Sequence, residues 1–122
     1  MDFDCKRFFE AVVKQDADAL GGYFADDAVI NWHDTNESFN VAEYIRANCE
    51  YPGDWDGHVV RAEEVDGGVV VVGKIAGSDI SLHVASFIKL EGGKIARMDE
   101  YFGDCGTAPQ WRRDMNIGRP IV

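Results

Sequence analysis

The sequence predicts an α+β fold with an antiparallel sheet. Its first half, up to about residue 55, carries apolar residues at the three- and four-residue spacing of helices. Its second half is rich in valine and is interrupted by glycine turns at regular intervals, as in consecutive strands. Helices followed by a run of strands are typical of α+β folds. With 122 residues, 46% of them apolar, the chain is expected to form one domain over residues 1–122.

Three helices are expected in the first half. The first covers about residues 3–14, because its apolar side chains form one stripe: Cys5, Phe8, Phe9, Val12 and Val13. The second is short, and Asp18 is expected to cap it. The third covers about residues 41–49 and ends before Pro52.

Five strands are expected around and after these helices. The first covers residues 28–33, after an Asp-Asp turn, and a polar loop follows it. The other four cover residues 58–65, 69–76, 80–90 and 94–102, and glycine pairs mark two of the turns between them. Residues 104–122 show little periodicity and are expected to form a tail that carries Trp111.

The charge of the chain limits its partners. Twelve Lys and Arg against 22 Asp and Glu give a net charge of −10 with histidine neutral. So acidic a surface repels phosphate backbones and anionic lipid, and we expect neither a nucleic-acid nor a membrane partner. No apolar run approaches the roughly 18 residues that a transmembrane helix needs.

The cysteines and histidines indicate neither a disulfide framework nor a metal site. Cys5, Cys49 and Cys105 are an odd number, far apart and without C-x-x-C spacing. The acidic start of the chain lacks the apolar stretch of a signal peptide, so a reducing cytoplasm is expected. The histidines do not have metal-ligand spacing. We expect neither a metal nor a cofactor.

Three stretches carry a resemblance to a known family: KQDADAL…YFADDA (residues 14–28), SFIKLEGGKI (86–95) and RMDEYF (97–102). Together they resemble the nuclear transport factor 2-like superfamily, and within it the SnoaL-like (polyketide cyclase-like) group, over about residues 5–103. The resemblance implies a cone-shaped, curved antiparallel sheet wrapped around an N-terminal helix, in the order α-α-β-(β)-α-β-β-β-β. It also implies an apolar cup that holds the ligand or active site.

The resemblance further implies that two chemistries of this superfamily are missing. Where steroid-isomerase-like members carry a base and two oxyanion donors, this chain has Trp32, Phe8 and Ala85. Isomerisation of ketosteroids is therefore not expected. Of the residues that epoxide-hydrolase-like members use, only one carboxylate is retained, as Glu100.

Glu100 also matches the acidic residue that SnoaL-like cyclases use together with a histidine. If residues 91–94 form a regular turn, Ala85 faces Glu100, and His83 lies diagonal to it on the concave face. Burial in an apolar cup raises the pKa of a carboxyl group, which makes Glu100 and His83 a candidate acid/base pair. Alternatively, Glu100 stabilises the fold or hydrogen-bonds a ligand without catalysis.

Two functions stay open at this point. One is a domain that binds a small apolar ligand in the cup, and the other is a SnoaL-like enzyme acting on a small apolar carbonyl compound. The side chains expected to contact the ligand are Phe8, Val12, Tyr23, Trp32, Tyr44, Ala85, Phe87, Met98, Phe102 and Trp111. A homodimer is expected through the convex sheet face, where exposed valines would otherwise face water. These valines are Val60, Val70, Val72 and Val84.

Overall fold

The structure of the protein, a computed structural model, describes residues 3–121; residues 1, 2 and 122 of the predicted domain lie outside the described residues. The helices are α1 (Cys5–Val13), α2 (Ala17–Gly21), α3 (Val41–Cys49) and α4 (Gln110–Arg113). The strands are β1 (Phe24–Trp32), β2 (Glu37–Phe39), β3 (Asp56–Val65), β4 (Gly68–Ala76), β5 (Ser81–Glu91) and β6 (Lys94–Asp104). The predicted α+β class and element order are confirmed, and the short helix α4 follows in the tail.

Side-chain caps fix where the helices begin. At α3 the Asn40 side chain accepts the Glu43 N–H, and the Glu43 carboxylate accepts the Asn40 N–H, each at 2.9 Å. At α2 the cap is Asp16, which accepts the Ala19 N–H at 3.1 Å. The predicted cap, Asp18, is wrong because α2 begins one residue after Asp16 and places Asp18 in its first turn.

The described strands form one curved, unclosed sheet in the order β2-β1-β6-β5-β4-β3. Neighbouring strands are antiparallel except for β1 and β6, which run parallel. The glycine turns lie where they were predicted. Gly67, Gly92 and Gly93 have φ values of 77°, 57° and 78°, a backbone region that glycine enters without steric cost.

The β5–β6 hairpin contains an irregularity that determines which side chains enter the cup. Leu90 faces Ile95, as the predicted turn requires, but Lys89 faces Arg97. Ala96 is therefore an extra residue in β6, which makes a β-bulge. Beyond the bulge, each β6 residue faces a β5 residue one position later than a regular hairpin would give.

Because of this register shift, the β5 side chains lie on the opposite faces of the sheet from those predicted. Glu100 faces Ser86, so the predicted pairing of Ala85 with Glu100 is wrong. His83 faces Gly103, at a position whose side chain lies on the other side of the sheet from Glu100.

Helix α1 packs against the concave face, next to β3 and β4. Its Phe9 ring lies directly over Gly73 of β4, where an added Cβ would come within 2.2 Å of a ring carbon. Glycine at this position therefore lets the helix approach the sheet. The main core lies beside α1, α2, α3 and β1, and it includes the fully buried Leu20, Ile30, Tyr44, Ile95 and Met98.

Candidate functional site

A cavity of about 390 Å³ opens between α1 and the concave face of the sheet. Helix α1, strands β4 to β6 and the segment after α3 build its mostly apolar wall. The apolar lining residues are Phe8, Phe9, Val12, Val13, Trp32, Tyr51, Trp55, Val71, Ile75, Ile80, Leu82, Val84, Ile88 and Phe102. A concave apolar wall with a few placed polar groups is the usual form of a small-molecule site.

A buried carboxylate interrupts this apolar wall. Glu100 on β6 is 7% exposed and lines the cavity. Its Oε1 accepts the indole N–H of Trp32 at 3.1 Å, and its Oε2 accepts the Ser86 hydroxyl at 2.5 Å. Trp32 and Ser86 lie directly across from Glu100 on β1 and β5. The registers of the two strand pairs thus bring the three side chains together.

The environment of Glu100 favours its neutral form. Burial raises the pKa of the Glu100 carboxyl above its usual 4.5, and the hydrogen bonds from Ser86 and Trp32 oppose this shift only in part. Each carboxylate oxygen accepts one hydrogen bond and keeps a free lone pair. The group therefore changes charge closer to neutral pH than an exposed glutamate, and it retains capacity to bind a further polar group.

The hydroxyl of Tyr44 is also buried near this carboxylate. The Tyr44 ring meets Trp32 edge-on, with centroids 6.2 Å apart. Among residues 3–121 the hydroxyl has no hydrogen-bond partner. Burial and the charge of Glu100 raise the pKa of the phenol well above 10. Tyr44 therefore stays protonated, and its O–H remains available as a donor.

The predicted ligand-contacting residues divide into three groups and one separate residue, Trp111. Phe8, Val12, Trp32 and Phe102 line the cavity. Tyr23, Tyr44 and Met98 pack in or against the main core instead, because α2 and α3 cover that end of the cup. Trp111 is 63% exposed, and it does not line the cavity of its own chain.

The third group lies on the convex face, so its predicted placement in the cup is wrong. Ala85 and Phe87 point away from the cavity, because the bulge in β6 shifts the register by one residue. His83 is exposed on the same face, and its Nδ1 lies 3.2 Å from the Cys105 sulfur. His83 is therefore not the partner of Glu100.

The convex face carries exposed aromatic side chains. The His33 ring stacks on Tyr101 with centroids 4.4 Å apart, and Tyr101 meets Phe87 edge-on at 5.9 Å. Of the valines predicted on this face, Val70 pairs with Phe87, and Val72 pairs with Ala85. Val60 is exposed, but Val84 is buried and lines the cavity, so its predicted place on the convex face is wrong.

Asp99 is held by several donors beside these rings. Partial burial alone would raise its pKa, but Arg97, Asn31 and His33 lie within hydrogen-bond distance and lower the pKa of Asp99 from 3.8 to about 2. The carboxylate is thus ionised at every physiological pH, and it fixes three side chains on the convex surface.

Several residues that line the cavity were not predicted from the sequence. Ser86 was overlooked because a regular hairpin places it outside the cup. Tyr51 and Trp55 come from the irregular segment between α3 and β3, which has no periodicity to indicate a face. Within residues 3–121, no three His, Cys, Asp or Glu side chains are grouped so that they could hold a metal ion. No helix in this range is long and apolar enough to cross a membrane.

Comparison with known proteins identifies the family. The sequence model of the SnoaL-like domain matches residues 5–98. The chain therefore belongs to the SnoaL-like domain family, which confirms the resemblance noted from its motifs. No curated protein sequence matches the chain.

Solved structures share the fold. A protein from Kribbella flavida described as a candidate ketosteroid isomerase has 22% identity and a TM-score of 0.79, with 94% of this chain and 85% of that one covered. An NTF-2-like protein of unknown function from Burkholderia xenovorans has 20% identity and a TM-score of 0.76, over 93% and 89%. SalBIII, an epoxide hydrolase/cyclase-like enzyme of salinomycin pyran ring formation, has 18% identity and a TM-score of 0.65, over 80% and 85%. At these identities the similarity shows the fold alone.

Proposed function

We propose that this protein binds a small, largely apolar molecule in the cup and that Glu100 hydrogen-bonds the polar group of that molecule. The observation that carries the proposal is the placement of a buried carboxylate in the mostly apolar wall of a cavity of about 390 Å³. A buried carboxylate is costly unless hydrogen bonds compensate for its lost hydration. Trp32 and Ser86 supply two of these bonds, and a ligand donor can supply another.

The carboxylates of the cavity favour a neutral or cationic ligand that carries a hydrogen-bond donor. Glu100 offers only acceptor lone pairs when it is ionised, so it accepts from a hydroxyl or an amine. Asp34, Glu37 and Asp104 also line the cavity and are exposed, which places negative charge at its opening. An anionic ligand would meet repulsion at both places.

The test uses three probes that share one apolar skeleton: 4-tert-butylcyclohexanol, the matching amine and the matching ketone. The Trp32 indole N–H resonance reports on the group that it shares with Glu100, and the backbone N–H resonances of the β3–β4 turn, which does not line the cavity, serve as internal references. The alcohol and amine are expected to shift the Trp32 resonance saturably at neutral pH. The ketone is expected to bind better as the pH falls, because a protonated Glu100 donates to a carbonyl oxygen.

Glu100→Gln is expected to weaken binding of the amine by about tenfold or more, since hydrogen bonds to charged groups contribute about 1.5–3 kcal/mol. Glu37→Gln is the matched control: it removes an equal charge at the opening and should have a smaller effect. A Trp32 resonance that none of the probes moves, or binding that Glu100→Gln leaves unchanged, would overturn the proposal. Ser86→Ala provides a second variant should Glu100→Gln fold poorly.

A second candidate function is acid/base catalysis by Glu100, which the raised pKa of its carboxyl favours. In this reaction Glu100 takes a proton from the carbon next to a ketone and returns one to the same carbon. We expect protein-dependent exchange of those hydrogens for deuterium in the ketone probe. Exchange should be lost in Glu100→Gln and kept in His83→Asn, because His83 lies outside the cup.

We also propose that two copies associate through the convex face. Phe87 and Tyr101 are each nearly half exposed there, and exposed apolar patches of this kind mark interfaces. Phe87→Glu is expected to convert a dimer to a monomer in light scattering, whereas Val65→Glu, at an exposed position beside the β3–β4 turn, should not. A monomeric wild-type protein at micromolar concentration would contradict this association.

Three free cysteines agree with a reducing compartment, and the cytoplasm remains the proposed location.

A further inference from the structure

The C-terminal tail, residues 106–121, has apolar side chains that its own chain does not cover. Trp111, Met115, Ile117 and Ile121 are all exposed. The hydrogen bonds of the tail join tail residues to one another, for example Arg113 to Gln110 at 2.7 Å. None of them reaches the sheet or helices α1 to α3 within residues 3–121. A helix as short as α4 is not stable alone, so this segment needs a surface to pack on.

The tail differs in charge from the rest of the chain. Residues 106–121 contain three arginines, Arg112, Arg113 and Arg119, and one acidic residue, Asp114, which gives a net charge of +2. Because the whole chain carries −10, the remaining residues carry −12. The tail is therefore a basic, apolar segment attached to an acidic body.

The opening of the cavity is complementary to the tail, because it is apolar and acidic. Tyr51 is 53% exposed and Ile80 is 40% exposed, and both line the cavity. Glu37 and Asp104 are exposed carboxylates in the same lining. The opening thus combines uncovered apolar surface with negative charge.

We infer that the tail of one copy covers the cavity opening of a second copy, and that the second copy's tail does the same in return. Trp111 in α4 and Met115 in the turn after it are both exposed, and their apolar side chains suit the apolar surface of Tyr51 and Ile80. The arginines beside Trp111 then meet the carboxylates of the opening. The combination of Trp and Arg is typical of residues that carry binding energy at interfaces.

The second copy is the occupant because the chain does not cover its own opening. Asp104 lines the cavity, so the tail starts at its edge. Of residues 105–121, none lines the cavity of the same chain. Trp111, which was predicted to contact the ligand, therefore reaches a cup only in another copy. The site is then complete only in an oligomer.

The experiment is photo-crosslinking from position 111 in the full chain. Trp111→p-benzoylphenylalanine protein is prepared in unlabelled and nitrogen-15-labelled form, and the two are mixed, equilibrated and irradiated. The expected products are peptides of mixed isotope that join position 111 to the segments around Tyr51 or Ile80. The same crosslinker at position 101 serves as the control, because it reports contact through the convex face instead.

Three results would overturn the inference. The first is crosslinking only between peptides of the same isotope, which would place the tail on its own chain. The second is crosslinking to the strand segments around Phe87 and Tyr101, which would place it on the convex face. The third is the absence of any crosslink from position 111.

A charge exchange gives an independent measure of the same contact. Arg112→Glu with Arg113→Glu is expected to lower the yield of mixed-isotope crosslinks by about tenfold, because like charges then face each other across the interface. Mixing that protein with a Glu37→Arg, Asp104→Arg protein should restore the yield. All four positions are exposed, so the changes should not disturb folding. An unchanged yield of mixed-isotope crosslinks in the Arg112→Glu, Arg113→Glu protein would contradict the inference.

Discussion

Replacing Glu100 with glutamine is expected to change how the stability of the protein depends on pH. Burial raises the pKa of Glu100 in the folded protein above the 4.5 of an exposed glutamate, so the folded state binds this proton more tightly than the unfolded state does. The free energy of unfolding therefore falls as the pH rises from 4.5 through the folded pKa. The loss is about 1.4 kcal/mol for each unit of pKa difference, and glutamine does not titrate.

The substitution preserves the hydrogen bonds around the side chain. The amide oxygen of glutamine can accept the Trp32 N–H, and its amide N–H can donate to the Ser86 hydroxyl. At pH values below 4.5, where both side chains are neutral, the two proteins should differ by about 1 kcal/mol or less. As the pH rises, the wild-type protein should lose stability relative to Glu100→Gln.

The measurement is urea unfolding of both proteins between about pH 4 and pH 8, with the difference in unfolding free energy plotted against pH. Glu91→Gln is the matched control, because it removes the same charge from an exposed position in the β5–β6 turn. The control should show no comparable trend. A difference between wild type and Glu100→Gln that stays constant, or that changes in favour of wild type as the pH rises, would refute the reasoning.

Two further predictions concern packing and the convex face. Gly73→Ala should lower the unfolding free energy by about 1–3 kcal/mol in urea, because its methyl group would overlap the Phe9 ring, whereas Gly103→Ala, which meets no atom within 4 Å, should cost much less. For Asp99, whose folded pKa is lowered from 3.8 to about 2, the stabilisation is present above pH 3.8 and is lost as the pH falls toward 2. Asp99→Asn should therefore unfold with a shallower acid dependence over that interval, and an unchanged acid dependence would contradict the assignment.

The fold was predictable from the sequence because its signals are local. The predicted third helix has the bounds of α3, since apolar residues at helical spacing and the following Pro52 indicate its extent. The later hairpins follow from glycine turns between valine-rich segments. The pairing of β1 with β6 has no such local signal, because it joins segments from opposite ends of the domain.

The candidate site was predictable only in part. Glu100 was expected in the cup and lies there, but its partner was assigned wrongly because one extra residue, Ala96, shifts the hairpin register. The alternation of side chains along a strand makes any face assignment depend on exact register. Nothing in the sequence of residues 94–100 distinguishes a bulged strand from a regular one. Ser86 could therefore not be preferred over His83 as the partner of Glu100 from the sequence.

The parallel pairing of β1 and β6 has a consequence for the order of events during synthesis. Among the described strands, the neighbours of β1 are β6 and the three-residue β2. During translation β1 is synthesised long before β6, so β1 can join the sheet only after β6 has been synthesised. The contact between Trp32 and Glu100 spans the same two strands. Addition of β1 to the sheet and assembly of the buried carboxylate's surroundings therefore occur in one late step, and a nascent chain that ends before β6 has neither.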